Sequence, residues 1–181
     1  DLNEIVRNAI SLFGHKLELS NTQVALDLKE GLPTVFADGS QVQQVVVNLL
    51  FNAVESMPEG GTVSVSTRDL AEKKAVALEV RDTGTGIQAE SLPRIFDPFF
   101  TTKEEGKGVG LGLAVVYGIV RSHGGDIEVD SQVDIGTTFR VTLPLGSRQA
   151  AWIAAPDHSP GVGLAHLGTP TESANRREED E

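Results

Sequence analysis

The stretch NLLFNAVES, residues 48–56, sets two asparagines four apart in a segment that is otherwise strongly apolar. Four residues make about one helical turn, so Asn48 and Asn52 emerge on the same face, one above the other. Asparagine is a mediocre helix former, and a pair at this spacing asks for a reason. A neutral carboxamide oxygen suits a Mg²⁺ that already sits among phosphate oxygens and needs few protein ligands. Two partly buried asparagines bonded to nearby backbone explain the pair equally well. The stretch alone leaves both readings open.

Working outward, Val42, Val45, Val46, Leu49, Leu50 and Ala53 form one broad apolar face, and the pattern stops at Pro58 to Gly61. Asp38 and Ser40 are both candidate N-caps, with Gln43 completing a capping box from Ser40. Upstream, Leu2, Ile5, Val6, Ala9, Ile10 and Phe13 predict a helix over 2–14. QVALDL (23–28) alternates as a strand, and GLP (31–33) turns the chain. Downstream, TVSVSTR and AVALEV predict a β-hairpin after Gly60 and Gly61. Residues 82–109 are dense in turn formers and aromatics. Helical spacing returns from Leu111 to His123 and stops at Gly124 and Gly125. DIEVDS and TTFRVTLP close the pattern as two strands. The order α-β-β-α-β-β-loop-α-β-β predicts an α/β fold, a two-layer sandwich whose mixed sheet is covered on one face by three helices.

A chain of 181 residues suits one domain with a proper core and an appendage. The division expected is a folded domain over 1–146 and a flexible tail or linker over 147–181, rich in Ala, Gly, Pro and Ser, in which Trp152 and Ile153 are the one apolar cluster. A net charge of −11 without clustered Lys or Arg argues against a nucleic-acid partner. Without cysteine there is neither a disulfide framework nor a thiolate zinc site. His15, His123, His158 and His166 lack metal-ligand spacing and read as surface or packing residues. With no signal peptide and no long apolar span, the expectation is a cytoplasmic chain without direct membrane contact. Opening at once into a helical pattern suggests a piece of a longer protein, with room for a membrane anchor upstream of Asp1.

Two further stretches carry chemistry. DTGTGI (82–87) follows a strand directly, so Asp82 stands at a strand end, where ligands commonly bind. A buried carboxylate only accepts hydrogen bonds, which suits the amino group of adenine and discriminates against the carbonyl of guanine. Gly84 and Gly86 are expected to supply positive φ and let a flat base approach the backbone. By itself D-x-G-x-G also describes an ordinary turn. GKGVGLGL (106–113) runs Gly106, Gly108, Gly110 and Gly112 into a helix, a ready anion site of backbone N–H groups. No Lys-Ser/Thr follows, so it is not a Walker A loop. Lys103 and Lys107 either add charge against phosphates or are simply solvated. Phe96, Phe99 and Phe100 mark either a contact surface or a small satellite core.

In this order the stretches resemble the GHKL (Bergerat-fold) ATP-binding superfamily over about residues 2–144. NLLFNAVES is similar to its N box, DTGTGI to its G1 box, FDPFFTTK (96–103) to its F box, GKGVGLGL to its G2 box and GTTF (136–139) to its final glycine–threonine motif. The F box and LAVVYGIVRSHGG look like sensor histidine kinases of nitrogen-regulation type. The resemblance implies ATP and Mg²⁺ as cofactors. It makes Asn52 the metal ligand and sets Asn48 against the nucleotide. It places Asp82 on the adenine amino group, with Gly84, Gly86 and Ile87 around the base and Thr137 fixing Asp82 and a water. Lys103, Gly106, Gly108, Val109, Gly110, Leu111 and Gly112 would reach the phosphates, and Glu55 organises the metal's water shell or is merely solvated. Thr85 and Val109 depart from the usual residues; the second removes a hydroxyl contact but keeps the backbone donors.

Hydrolytic members of the superfamily carry a glutamate one turn before the metal asparagine as general base for water. Here that position is Asn48, whose amide takes no proton at neutral pH. The resemblance therefore implies a protein-histidine kinase catalytic domain, with Asn48 and Lys103 in catalytic positions, acting on a histidine of a dimeric helical hairpin. None of the four histidines has the family's H-E-x-x-N/P context, so the phosphoacceptor is expected before Asp1, and the chain alone is expected to be monomeric and unable to phosphorylate itself. The implied partners are those upstream dimerisation helices and a response-regulator receiver domain, with a homodimer in the full-length protein. The alternatives are a GHKL ATPase, a serine-directed anti-sigma kinase or a non-catalytic ATP-sensing module.

Overall fold

A computed structural model describes residues 1–102 and 109–146. Helix α1 (Leu2–Leu19) begins where the Asp1 carboxylate accepts the Glu4 N–H at 3.1 Å. Leu2, Val6, Ala9 and Leu17 are its buried apolar residues. The helix outruns the expected end at 14 because Leu17 prolongs the buried stripe. Gly14, standing in open space, costs only about 1 kcal/mol of helix propensity. Strand β1 (Thr22–Leu28), helix α2 (Gly39–Glu55), strands β2 (Gly61–Leu70) and β3 (Ala75–Asp82), helix α3 (Gly112–Ser122), and strands β4 (Asp126–Gln132) and β5 (Gly136–Pro144) follow.

The sheet runs β1-β2-β3-β5-β4, parallel between β1 and β2 and antiparallel elsewhere. It is the mixed sheet expected, with one strand fewer. The second strand placed before α2 does not form. Pro33 has no N–H to offer a ladder, and Leu32, Val35 and Ala37 pack against the core instead of pairing with a sheet edge. Along the other strands the alternation holds. Val63 and Val65 of β2, Val76, Leu78 and Val80 of β3, and Phe139, Val141 and Leu143 of β5 join α1, α2 and α3 in one core. The opposite face carries charge, with Arg140 Nη2 2.8 Å from Glu79 Oε2 and Arg68 paired to Asp27. Such exposed pairs add little stability.

Helix α2 is capped by Asp38, whose Oδ1 accepts the N–H groups of Ser40 at 2.9 Å and Gln41 at 3.1 Å. The capping box from Ser40 is not used, since an ionised carboxylate satisfies the first donors and complements the helix dipole better than a hydroxyl. His123, at the end of α3, accepts the Asp38 N–H at Nε2 (3.0 Å) and so carries its proton on Nδ1, 2.8 Å from the Ile119 carbonyl. This ties the start of α2 to the end of α3. At the first turn of α1, Thr67 donates to Asn3 Oδ1 at 2.7 Å and accepts the Lys29 N–H at 3.0 Å. Asn3 Nδ2 donates to the Lys29 carbonyl at 2.9 Å, so this buried polar group is closed on itself. Among the described residues no helix is long and apolar enough to cross a membrane.

Candidate functional site

Asp82 is the last residue of β3, at the floor of a cavity of about 710 Å³ between α2, α3 and the loop that joins β3 to α3. It is 4% exposed. Its Oδ1 accepts the N–H groups of Gly84 at 2.8 Å and Thr137 at 3.2 Å. Burial pushes its pKa above the usual carboxylate range, and the hydrogen bonds from Gly84, Ser56 and Thr137 only partly offset this. The result is a desolvated acceptor aimed into an apolar-walled cleft, an arrangement typical of ligand pockets.

The two glycines beside it serve different ends. Gly86 has φ +70°, as expected, and a Cβ there would run into the Gln132 carbonyl of the β4–β5 turn. Gly84 does not have positive φ. Its need for glycine is spatial, because a Cβ would collide with Ser56 at the end of α2, whose carbonyl accepts the Thr85 N–H at 3.0 Å. Gly84→Ala is therefore expected to destabilise the domain by about 1–3 kcal/mol through overpacking. Thermal unfolding checks this, and an alanine chain melting with the wild type would contradict the contact.

Asn48 and Asn52 both line the cavity, one turn apart on α2. Asn48 Nδ2 donates to the Gly112 carbonyl at 3.4 Å, joining α2 to the first turn of α3. Asn52 Nδ2 is buried and has no hydrogen-bond partner among the described residues. An orphaned buried amide is costly. The nitrogen and oxygen of a carboxamide are told apart by their hydrogen bonds, and with none on Nδ2 the oxygen can take either place. The donor set thus fits an oxygen-seeking cation beside the α2 face.

Of the expected site residues, the cavity brings together Asn48, Asn52, Glu55, Asp82, Gly86, Ile87, Val109, Gly110, Leu111, Gly112 and Thr137. Gly84 is buried behind the wall. Lys103, Gly106 and Gly108 lie outside the described residues, as do Lys107 and the segment 147–181. Gly110 has φ +69°, and a Cβ there would approach Phe100 O to 2.6 Å, so the described end of the glycine-rich segment lies against the aromatic segment. The three phenylalanines divide between the two roles left open for them. Phe96 packs on Tyr117 at 5.4 Å, Phe100 lines the cavity with the Arg94 guanidinium 4.6 Å over its ring, and Phe99 stays 72% exposed.

The expected set omits Phe51, Ser56, Thr85, Ile95, Phe100, Thr101, Thr102, Leu113 and Phe139, which also line the cavity. Phe139 was legible from strand parity, two residues on from Thr137 and hence on the same face. Ser56 gives no such signal, since a serine at a helix end reads as a terminator. Among the described lining residues none is Lys or Arg, so the described wall offers an anion backbone N–H groups and neutral carboxamides.

Residues 37–147 match the family model described as histidine kinase-, DNA gyrase B-, and HSP90-like ATPase. The sensor kinase CckA of Brucella abortus is 45% identical over 157 residues, which is 80% of this chain and 16% of that protein. The chain spans well under half the length of the curated relatives it matches. Among solved structures, the catalytic domain of the histidine kinase ThkA superposes with a TM-score of 0.71 at 32% identity, covering 80% of this chain and 93% of that one. ThkA has also been solved in complex with the response regulator protein TrrA, at 29% identity and a TM-score of 0.68 over 81% of this chain and 41% of that one. Full-length ShkA in complex with AMPPNP aligns at 28% identity and a TM-score of 0.72, over 81% of this chain and 30% of that one.

Proposed function

Because this chain belongs to the histidine kinase-, DNA gyrase B- and HSP90-like ATPase family, we propose that its cleft binds MgATP and presents the γ-phosphoryl to a histidine on a dimerisation domain outside this chain. Asp82 reads the adenine amino group, Gly86 and Ile87 border the base, and Thr137 holds Asp82 through its own N–H. Asn52, with its neighbour Asn48, faces the phosphates. Asn52 would hold Mg²⁺, which would supply positive charge against the phosphates. Val109, Gly110, Leu111 and Gly112 border the phosphate end, and Lys103, Gly106 and Gly108, outside the described residues, would contribute phosphate contacts. The AMPPNP bound to the related ShkA supports the nucleotide. The response regulator bound to ThkA supports a receiver domain as the next phosphoryl acceptor. The sequence of the aromatic segment supports a nitrogen-regulation-like type within the sensor kinases.

One observation carries the choice of kinase over ATPase. The position one turn before Asn52 holds Asn48, whose amide donates to the Gly112 carbonyl and has no basic atom for activating water. Positioning without water activation favours transfer to an external nucleophile. The chain incubated with MgATP is expected to release phosphate no faster than buffer. Asn48→Glu is expected to raise that release by about tenfold or more, as a general base typically contributes at least that much. Steady phosphate release by the wild type, abolished in Glu55→Gln, would support the ATPase reading with Glu55 as base.

A further inference from the structure

Ser131 stands at the centre of a hydrogen-bond junction just behind the adenine end of the cleft. Its Oγ accepts the Ile87 N–H at 2.8 Å and lies 2.9 Å from Thr137 Oγ1 and 3.2 Å from the Gly136 carbonyl. Ser131 does not itself line the cavity, whereas both Ile87 and Thr137 do. The turn that follows it is locked onto the same loop. Asp134 donates its N–H to the Thr85 carbonyl at 2.9 Å, and Gly86 packs against the Gln132 carbonyl too closely for any Cβ.

A hydroxyl has one proton to give and two lone pairs to receive. With the Ile87 N–H taking one lone pair, the Ser131 proton goes either to the Gly136 carbonyl or to Thr137 Oγ1. In the first case Thr137 donates its own proton to Ser131 and offers the cavity an acceptor only. In the second, Thr137 receives from Ser131 and its proton turns toward Asp82 or the ligand. Resting on the ATP-site reading above, we propose that Ser131 is a positioning residue of the adenine site. It pins the base-bordering turn at Ile87 and sets whether Thr137 donates or accepts beside Asp82. Removing it frees the turn and leaves the Thr137 hydroxyl undirected, so the site loses part of its preference for a base bearing an amino group.

The test is nucleotide titration of the chain with ATP and with purine riboside triphosphate, which lacks the amino group. Ser131→Ala, Thr137→Ala and the double variant are compared, with melting temperatures read on the same samples. Ser131→Ala is expected to weaken ATP by about tenfold, the scale of a lost hydrogen-bonded contact with a buried polar group left unpaired. Its preference for ATP over the purine analogue is expected to shrink by about fivefold. The double variant is expected to lose far less than the product of the single losses, since both act on one junction. Ser131→Thr, which keeps the hydroxyl, is expected to restore affinity to within about twofold. Should Ser131→Ala unfold the domain, Ser131→Cys carries the same test with a near-isosteric, weakly bonding side chain. Unchanged ATP affinity, an unchanged preference between the two nucleotides, multiplying losses or a Thr variant no better than Ala would each overturn the role of Ser131. A wild-type chain that binds neither nucleotide would instead overturn the ATP reading beneath it.

Discussion

Asp82→Asn is expected to weaken ATP by about a hundredfold, close to 3 kcal/mol, measured by titration calorimetry. The substitution hardly changes the volume, but an amide turns a donor toward the adenine amino group where the site needs an acceptor. Two backbone N–H groups, from Gly84 and Thr137, hold Oδ1 and fix the carboxylate at the floor of the cavity. The same change acts in the opposite sense on the unliganded domain. Burial raises the Asp82 pKa above its unfolded value. A group raised on folding contributes stability below its unfolded pKa, and that contribution is lost as pH rises through the folded pKa. Above the folded pKa the ionised carboxylate therefore costs stability that a neutral amide does not, so there the Asn variant is expected to melt higher than the wild type. ATP affinity should run the other way, falling as pH drops through the raised pKa, and this dependence should vanish in the Asn variant. Unaltered ATP affinity in Asp82→Asn would remove the adenine assignment.

Asn52→Ala carries the second large effect. With Mg²⁺ present, the variant is expected to bind ATP about tenfold or more weakly, and adding EDTA should then change nothing further. Stability supplies an independent readout. Asn52 Nδ2 is buried and without a partner among the described residues, so truncating it removes an unsatisfied donor and is expected to leave the melting temperature unchanged or higher. Asn48→Ala, by contrast, breaks the bond to the Gly112 carbonyl and is expected to melt lower. Persistent Mg²⁺ dependence in Asn52→Ala would assign the cation to another residue.

Much of this architecture was legible in the sequence because it follows from periodicity. The α2 pattern around NLLFNAVES, the β2–β3 hairpin and the closing β4–β5 pair fall where side-chain spacing places them. Motif order likewise groups Asn48, Asn52, Asp82 and Thr137, which line one cavity. Tertiary choices were not legible. Whether residues 29–38 pair or pack depends on which apolar groups the core still lacks, and Leu32, Val35 and Ala37 filled that need. That Asp38 caps α2 is accompanied by a contact no local pattern shows, a histidine 85 residues away holding the Asp38 N–H. Gly84 read as a conformational glycine, yet its neighbour Ser56, from a different element, explains it through volume alone. Ser131 left no trace in any pattern, because its work lies in partners drawn from the loop after β3 and from β5.

The central claim is that the phosphoryl group leaves for a partner's histidine and not for water or serine. The most direct measurement incubates the chain and γ-labelled MgATP with a dimeric helical hairpin bearing a phosphoacceptor histidine, then follows label and free phosphate together. The account predicts label on the hairpin that is lost in acid and stable in base, absent when that histidine is replaced, with no phosphate release by the chain alone. Acid-stable label on serine, or rapid phosphate release without the hairpin, would contradict it.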